Sequence, residues 1–447
     1  MFGAAYARAR QDHLSELIRS IDFTALQSVA SGLRNGIECH LPAISSIFND
    51  EEARMNHIMA MMGGQNVHFD INFADGLVWI ARIRLKNDPT LPPDPVQEYI
   101  FLSEVAIMEF LKTTAVPSPD IHHYQKDSKS NPVGVSFILM DKLPGKPLNL
   151  NLANSFQRRH LLEQLADIYL ELERHPFEKM GSPVNHKSVS VDIGPYAQVP
   201  LFESPERSLG PFTTLKTAYT TILHQQMNLL TSGEVTDLSV ENYLSLCWRL
   251  EALPLLLSSH LSANHQFYLK HYDDKGDHIL VDEEYNITGM IDWEFASTEA
   301  KEVAFSSPCM LWPVGKFYDG SNQLSDDELL LARIYADKGR NDLADIVLNG
   351  RKMQRYLFFN GGGMPSRREE FDSLQIGLLE AFAEPDDPDG LSKLKTGALA
   401  RFSKDTALLE NSVRQELKAD AEAVEVSVVL KKRADHWASL SSITATE

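Results

Sequence analysis

Two runs of alternating apolar and polar residues meet at an Asp-Gly pair, and no other feature constrains the fold of this chain as strongly. Val67, Phe69, Ile71 and Phe73 alternate with His68, Asp70 and Asn72, the period-two signature of a half-buried strand. Asp75-Gly76 follows, and glycine tolerates the positive φ that a tight hairpin turn requires. The next run puts Leu77, Trp79, Ala81, Ile83 and Leu85 on one face and Val78, Ile80, Arg82 and Arg84 on the other. The spacing predicts a β-hairpin, with Gly63-Gly64-Gln65-Asn66 just before it.

Around that hairpin the pattern changes period. Residues 13 to about 60 read as mixed helix and loop, and a proline-rich loop at 86–97 leads into a helical pattern from about Glu98 to Thr113. Ile100, Ile107, Met108 and Leu111 share its apolar face, with Glu104 among them. An acid on such a stripe either reaches outward or meets a buried cation. Pro117 and Pro119 end the element, and the apolar run Val135 to Met140 reads as a central strand. Leu143-Pro144-Gly145-Lys146-Pro147 then breaks the chain at a boundary between two lobes. Beyond it lie an amphipathic helix marked by Leu161, Leu162, Leu165, Tyr169 and Leu172, a loop-rich stretch at 176–212, and helical patterns at 215–257. Three short extended pieces follow at 267–270, 279–282 and 287–291. After Trp312-Pro313 the sequence is mostly helical, broken at Gly361-Gly362-Gly363 and at Pro385-Asp386-Asp387-Pro388. The expected organisation is a helical extension over 1–50, a small β-rich unit over 51–145, and a larger helical unit over 146–447 with an inserted hairpin. The stretch 409–447 reads as an amphipathic helix for packing on the large unit or on a partner, and oligomeric state is open.

Composition narrows the class. With 43% hydrophobic and 23% charged residues, the chain has the mix of a folded protein, not of a disordered or collagen-like one. A net charge of −20 opposes nucleic-acid binding and suits cationic ligands, although it also simply favours solubility. No apolar run approaches the roughly 20 residues that span a bilayer, so no membrane partner is expected. Cys39, Cys247 and Cys309 are widely separated and form neither a zinc spacing nor a disulfide framework, which points to the reducing cytoplasm. Met1 to Gln11 carries Arg8 and Arg10 without an acid, so a mitochondrial presequence is the alternative, weakened by Asp12 and Glu16.

The densest polar cluster is His271-Tyr272-Asp273-Asp274-Lys275-Gly276-Asp277-His278, followed by Ile279-Leu280-Val281-Asp282 and, further on, by Asp292. A hairpin turning at 283–286 would return Asp292 toward Asp273. Two carboxylates converging at the open end of a hairpin, with a histidine nearby, make a site for a hard divalent cation such as Mg²⁺. The same residues also describe a solvated acidic loop.

From His271 to Glu294 the chain resembles the catalytic loop and metal-binding turn of the aminoglycoside phosphotransferase family, in a divergent branch common in fungi. The family pattern is His-Gly-Asp, four variable residues, Asn, a short strand, a turn, and an Asp followed by Trp or Phe. His271-Tyr272-Asp273 opens that pattern with tyrosine in place of glycine, His278 stands where the Asn would be, and Asp292-Trp293 closes it. The front half resembles the family as well. Gly63-Gly64 matches the phosphate-covering loop, Arg82 the phosphate-anchoring cation, and Glu104 the helix acid that pairs with it. Phe137 to Gly145 matches the hinge strand and linker, where adenine would meet the backbone near Met140 to Lys142.

The resemblance implies an α+β, two-lobed protein-kinase-like fold with a small N-terminal β-sheet lobe and a larger, mainly helical C-terminal lobe. It implies ATP and Mg²⁺ as cofactors and transfer of the γ-phosphoryl group to a hydroxyl of a small molecule. Asp273 would orient that hydroxyl and take its proton, His271 would order the loop, and Asp292 would hold Mg²⁺ with Asp277 or His278 as second ligand. The acidic balance suits a cationic acceptor, and a protein acceptor is the alternative. A second reading keeps the fold without the transfer: Tyr272, His278 and Arg82 depart from the commonest kinase pattern, as in a nucleotide-binding or scaffold module. A third reading is a helical interaction protein that binds no nucleotide.

Overall fold

A computed structural model describes residues 14–42, 58–59, 62–63, 65–85, 94–185, 191–197, 208–232, 239–260, 266–358 and 367–382. Expectations for Met1 to Gln11, Gly64, Gly361 to Gly363, Pro385 to Pro388 and the stretch 409–447 lie outside the described residues.

Among the described residues the front lobe is a five-stranded antiparallel sheet in the order β1-β2-β3-β5-β4. Its strands are β1 (Cys39–His40), β2 (Asn66–Phe73), β3 (Val78–Arg84), β4 (Ile121–Gln125) and β5 (Phe137–Asp141). The expected hairpin is β2–β3, with Asn66 opposite Arg84 and Asn72 opposite Val78. Gly76 sits in its turn at φ 89°, the left-handed region that glycine enters without a Cβ penalty. Val67, Phe69, Ile71, Trp79, Ala81 and Ile83 face a core built with Leu14, Leu17, Leu26 and Ala30. Part of the expected N-terminal extension therefore packs into the same core as the hairpin, through the helix Phe23–Leu33 and its Asp22 cap. The opposite sheet face, with Ile80, Ile138 and Met140, is covered by Phe101, Val105 and Met108 of the helix Asp94–Leu111. A sheet covered on both sides is the reason Arg82 and Arg84 end up buried.

The linker carries β6 (Lys146–Pro147). In the larger lobe, part of the stretch expected as loop forms a hairpin of β7 (Ser182–Asn185) and β8 (Val191–Gly194). Then come β9 (Phe267–Lys270), β10 (Ile279–Val281), β11 (Ile287–Met290) and β12 (Ser297–Ala300). The linker strand β6 pairs with β10, which forms a hairpin with β11, while β12 pairs with β9. Gly145, at φ 106°, lets the linker approach that hairpin: a Cβ there would stand 2.4 Å from Thr288 Oγ1 and 2.8 Å from the Val281 carbonyl.

The helix Ser155–Glu173, opened by an Asn154/Gln157 capping box, backs the β10–β11 hairpin. Leu161, Leu162 and Leu165 share a core with Ile279, Val281, Met290 and Trp293. Gln164 of that helix donates to the Tyr285 carbonyl at 3.1 Å and accepts from Ile287 N–H at 2.9 Å, fixing the turn. Behind it lie the helices Leu215–Thr231, Ser239–His260, Asp326–Asp337, Asn341–Leu348, Arg351–Leu357 and Arg368–Ala381. The architecture is α+β, with a small five-stranded sheet lobe ahead of a larger, mainly helical lobe. Among the described residues no helix is long and apolar enough to cross a membrane.

One partly buried acid of this lobe makes stability depend on pH. Glu299, on β12, accepts hydrogen bonds from Tyr196 Oη at 3.0 Å and Ser297 Oγ at 2.8 Å. Burial outweighs those donors and pushes its carboxyl up to about 7. A raised carboxyl costs nothing while both folded and unfolded chains hold the proton; the cost grows from the unfolded value up to about pH 7 and is constant above. Glu299→Gln should therefore stabilise the protein relative to wild type at pH 8 by about 3 kcal/mol more than at pH 4. Urea titrations at the two pH values check this, and equal effects at both would contradict it.

Candidate active site

Pairing Ile279 with Met290 brings the segments before β10 and after β11 out at the same end of the hairpin. The backbone then joins them, with Ile291 N–H donating to the His278 carbonyl at 2.8 Å. His271 Nε2 lies 3.0 Å from the Ile291 carbonyl, so this nitrogen carries the proton and donates. The His271 ring stacks on His278 at 4.1 Å and meets the edge of Trp293 at 4.8 Å. Burial holds the His271 imidazole below its usual range and pushes His278 down to about 2. Both rings are neutral supports of the loop. His278 Nδ1 accepts from the Gly276 N–H at 3.4 Å.

The adjacent acids Asp273 and Asp274 take different positions. Asp274 is tied inward: it pairs with Lys270 Nζ at 2.9 Å, accepts the Cys309 N–H at 3.0 Å, and offers its own carbonyl to Met310 N–H at 3.0 Å. Asp273 keeps 46% of its side-chain surface open and pairs with the exposed Lys275 at 2.9 Å. The hydrogen bond that Lys275 donates to Asp273, and beyond that the charges of Asp277 and Asp292, hold its ammonium above its usual value. One cation thus lies in the field of all three carboxylates that the sequence singled out. Tyr272, also half exposed, meets Phe295 edge-on at 5.8 Å.

On the front sheet, Arg82 of β3 is the hub. Its Nε lies 3.1 Å from Glu104 Oε1, and its Nη2 lies 2.9 Å from Asp292 Oδ1 and 2.8 Å from Glu294 Oε2. Arg82 and Glu294 each retain 5% of their surface, whereas the Asp292 side chain keeps 52%. Burial works to lower the Arg82 pKa, but Glu104, Asp292 and Glu294 outweigh it and raise it. Enclosure in the cleft works to raise the Asp292 carboxyl, and the charge and hydrogen bond of Arg82 overcome that and hold it below its usual range. Burial pushes Glu104 up to about 7 against the pull of Arg82, with Glu294 and Asp292 adding to the rise. Asp292 and Phe295 adopt φ 61° and 66°, a region uncommon for non-glycine residues and often found where a site imposes strain.

The remaining sequence candidates lie along the front sheet. Gly63 N–H donates to the Asn66 carbonyl at 2.8 Å, beneath a bridge between Met62 and Val67 that closes a turn. Met140 is a β5 residue paired with Ile80 and Ile121, and the Lys142 ammonium pairs with Asp70 at 2.6 Å on the surface. The structure thus brings Arg82, Glu104 and Asp292 together, places Asp273 and Asp277 on the facing loop, and leaves the side chain of Lys142 engaged elsewhere. Three residues were not singled out from sequence: Lys275, Arg84 and Glu294. Arg84 carried a signal, since it repeats the Arg82 position two residues on.

The donors available to a cation are hard oxygens. Asp292 presents a half-open carboxylate, and Asp277 is exposed nearby on the loop. Around Arg82 and Arg84, the three carboxylates of Glu104, Glu294 and Asp292 outnumber the two guanidinium groups. Among the described residues no three His, Cys, Asp or Glu side chains converge as a ready ligand set. Mg²⁺ commonly takes one or two carboxylates and completes its shell with phosphates and water, and the residues present fit that arrangement.

Residues 90–299 match the family model described as the phosphotransferase enzyme family. Over that segment, a little under half of the chain, the sequence is similar to this family. The matched stretch includes Glu104, the hinge, the Asp273 loop and Asp292, and begins after Arg82. Among curated proteins, a clavilactone A biosynthesis cluster protein of Ampulloclitocybe clavipes is 26% identical over 58% of this chain and 63% of its own length. A subtelomeric hrmA-associated cluster protein of Aspergillus fumigatus is 32% identical over 34% of this chain and 28% of its own length. The chain therefore spans less than two thirds of either relative. Among solved structures, an ethanolamine kinase of Plasmodium vivax aligns over 80% of this chain and 91% of its own at 10% identity, with a TM-score of 0.39.

Removing the hub cation would leave its acids without a counter-charge. Arg82→Met should destabilise the fold by about 3–5 kcal/mol, the usual cost of breaking a buried ion pair from one side. Adding Glu104→Gln should recover part of that loss. Denaturant midpoints of the two single variants and the double variant test this, and strictly additive losses would contradict it.

Proposed function

We propose that the protein is an ATP-dependent phosphotransferase that moves the γ-phosphoryl group to a hydroxyl of a small molecule. The observation that carries this reading is the ion pair between the half-open Asp292 and the buried Arg82, itself held by Glu104 from the neighbouring helix. The match of residues 90–299 to a phosphotransferase family model supports it.

In this reading Arg82 gives its guanidinium to the phosphates while Glu104 keeps it in place. Asp292, with Asp277, would hold Mg²⁺, which when bound would supply positive charge to offset that of the phosphates. Asp273 orients the acceptor hydroxyl and takes its proton as the new O–P bond forms and the bond to the ADP oxygen breaks. Lys275 pairs with that carboxylate at 2.9 Å. His271 holds the loop through the Ile291 carbonyl and moves no proton. His278 is spent on packing, so the oxygen ligands are carboxylates. The net charge of −20 favours a cationic acceptor, and the free cysteines suit work in the cytoplasm.

A binding module without transfer is the second reading, favoured by the buried His278 where an oxygen donor would serve a metal better. Asp273→Asn separates the two. Under phosphotransfer it should retain the thermal shift produced by Mg·ATP and lose turnover by about 10²–10⁴-fold in a screen of hydroxyl-bearing metabolites followed by mass spectrometry. A shift with Mg·ATP but no phosphorylated product from wild type would favour the binding module.

A further inference from the structure

The proposed reaction gives Glu294 no task, yet its contacts are unusual for its position. It follows Asp292 by two residues on the loop of the larger lobe, and its partners are all on the front sheet. Asn66 Nδ2 donates to Oε2 at 2.7 Å, Arg82 Nη2 donates to the same oxygen at 2.8 Å, and Arg84 Nη1 donates to Oε1. Both carboxylate oxygens are engaged, and the side chain is buried. Asn66 also ends the turn that begins at Gly63, because its carbonyl accepts the Gly63 N–H. Arg84 in turn reaches Gln65 of the same turn. A single carboxylate therefore joins the glycine turn, the phosphate-anchoring arginine and the loop that carries Asp292.

The same Arg82 nitrogen serves both Asp292 and Glu294, and the two acids differ in what they are free to do. Asp292 is half open and can turn to a cation; Glu294 is enclosed and held by Arg84 and Asn66. If Asp292 leaves Arg82 for a metal, Glu104 and Glu294 still fix the guanidinium. Without the Glu294 charge, Arg82 and Arg84 would compete for Asp292 and keep it from the cation. We infer that Glu294 is a positioning residue of the nucleotide site, clamping Arg82 and the glycine turn in register with the Asp292 loop and freeing Asp292 for metal. The inference rests on the phosphotransfer reading for its consequence and on the contacts of Glu294 for its geometry. A carboxylate held on both oxygens by charge-assisted hydrogen bonds is well suited to such a task.

The test uses the full chain and Glu294→Gln, with two readouts. Hydrogen exchange without nucleotide should rise together in residues 65–84 and 290–296. Titration calorimetry should show Mg·ATP affinity about tenfold weaker, while affinity for an acceptor found in the metabolite screen stays within twofold. A purely structural role would weaken both ligands alike and overturn the inference, as would unchanged exchange in either segment or unchanged Mg·ATP affinity. If Glu294→Gln does not fold, Asn66→Ala removes one donor to the same carboxylate and should weaken Mg·ATP about threefold; no weakening overturns the inference. Wild-type protein that binds no Mg·ATP would refute the phosphotransfer reading, and the exchange readout alone would then decide whether Glu294 couples the two segments.

Discussion

A guanidinium group is rarely placed in the interior of a protein, and the position of Arg82 organises much of this one. At 5% exposure it has lost its water, and an unpaired charge so placed would cost several kcal/mol. The compensation comes from three acids on two parts of the chain distant in sequence: Glu104 on the front-lobe helix, and Asp292 and Glu294 on the loop after β11. Satisfying one cation therefore docks the sheet, the helix and the larger lobe around a common point. The same contacts leave a surplus carboxylate, Asp292, half open in the cleft. A network that holds the fold together thus also presents a negatively charged opening suited to a metal and its phosphates.

Much of the front lobe could be read from the sequence because its signals are local. Alternation over 67–73 and 77–85, with Asp75-Gly76 between, specifies a hairpin with few alternatives. Glu104 stood out because an acid on an apolar stripe requires a partner, and Arg82 was the nearby cation with a covered stem. The strands β4, β7, β8 and β12 were not seen. They are short, carry sequences such as Ile-His-His-Tyr-Gln, Ser-Pro-Val-Asn and Ser-Thr-Glu-Ala, and owe their conformation to pairing rather than to apolar periodicity. The helix bearing Glu104 begins at Asp94, four residues before the periodicity becomes clear, since Asp94 and Pro95 are well suited to a helix start but carry no apolar rhythm.

The site was legible to a similar depth. The aspartates are visible because they interrupt apolar strands at a hairpin end, but choosing between Asp273 and Asp274 required the contacts to Lys270 and Cys309 that occupy Asp274. Glu294 gave no signal, because its partners Asn66 and Arg82 lie 228 and 212 residues away. The departures at 272 and 278 also acquire physical content. His278 fills space against His271 in the loop's interior, and Tyr272 presents a half-exposed ring beside Asp273 and Phe295. That substitution changes the surface next to the proposed base, not the base itself.

The central claim is that the cleft between Arg82 and the Asp273 loop receives a nucleoside triphosphate with its metal. A crystal structure with Mg²⁺ and a non-hydrolysable ATP analogue tests it most directly. The account predicts a metal about 2.0–2.1 Å from an Asp292 oxygen, Arg82 turned onto a phosphate, and Glu294 still bound to Arg84. Nucleotide seated elsewhere, or a filled cleft in which Asp292 remains on Arg82 and holds no metal, would contradict it.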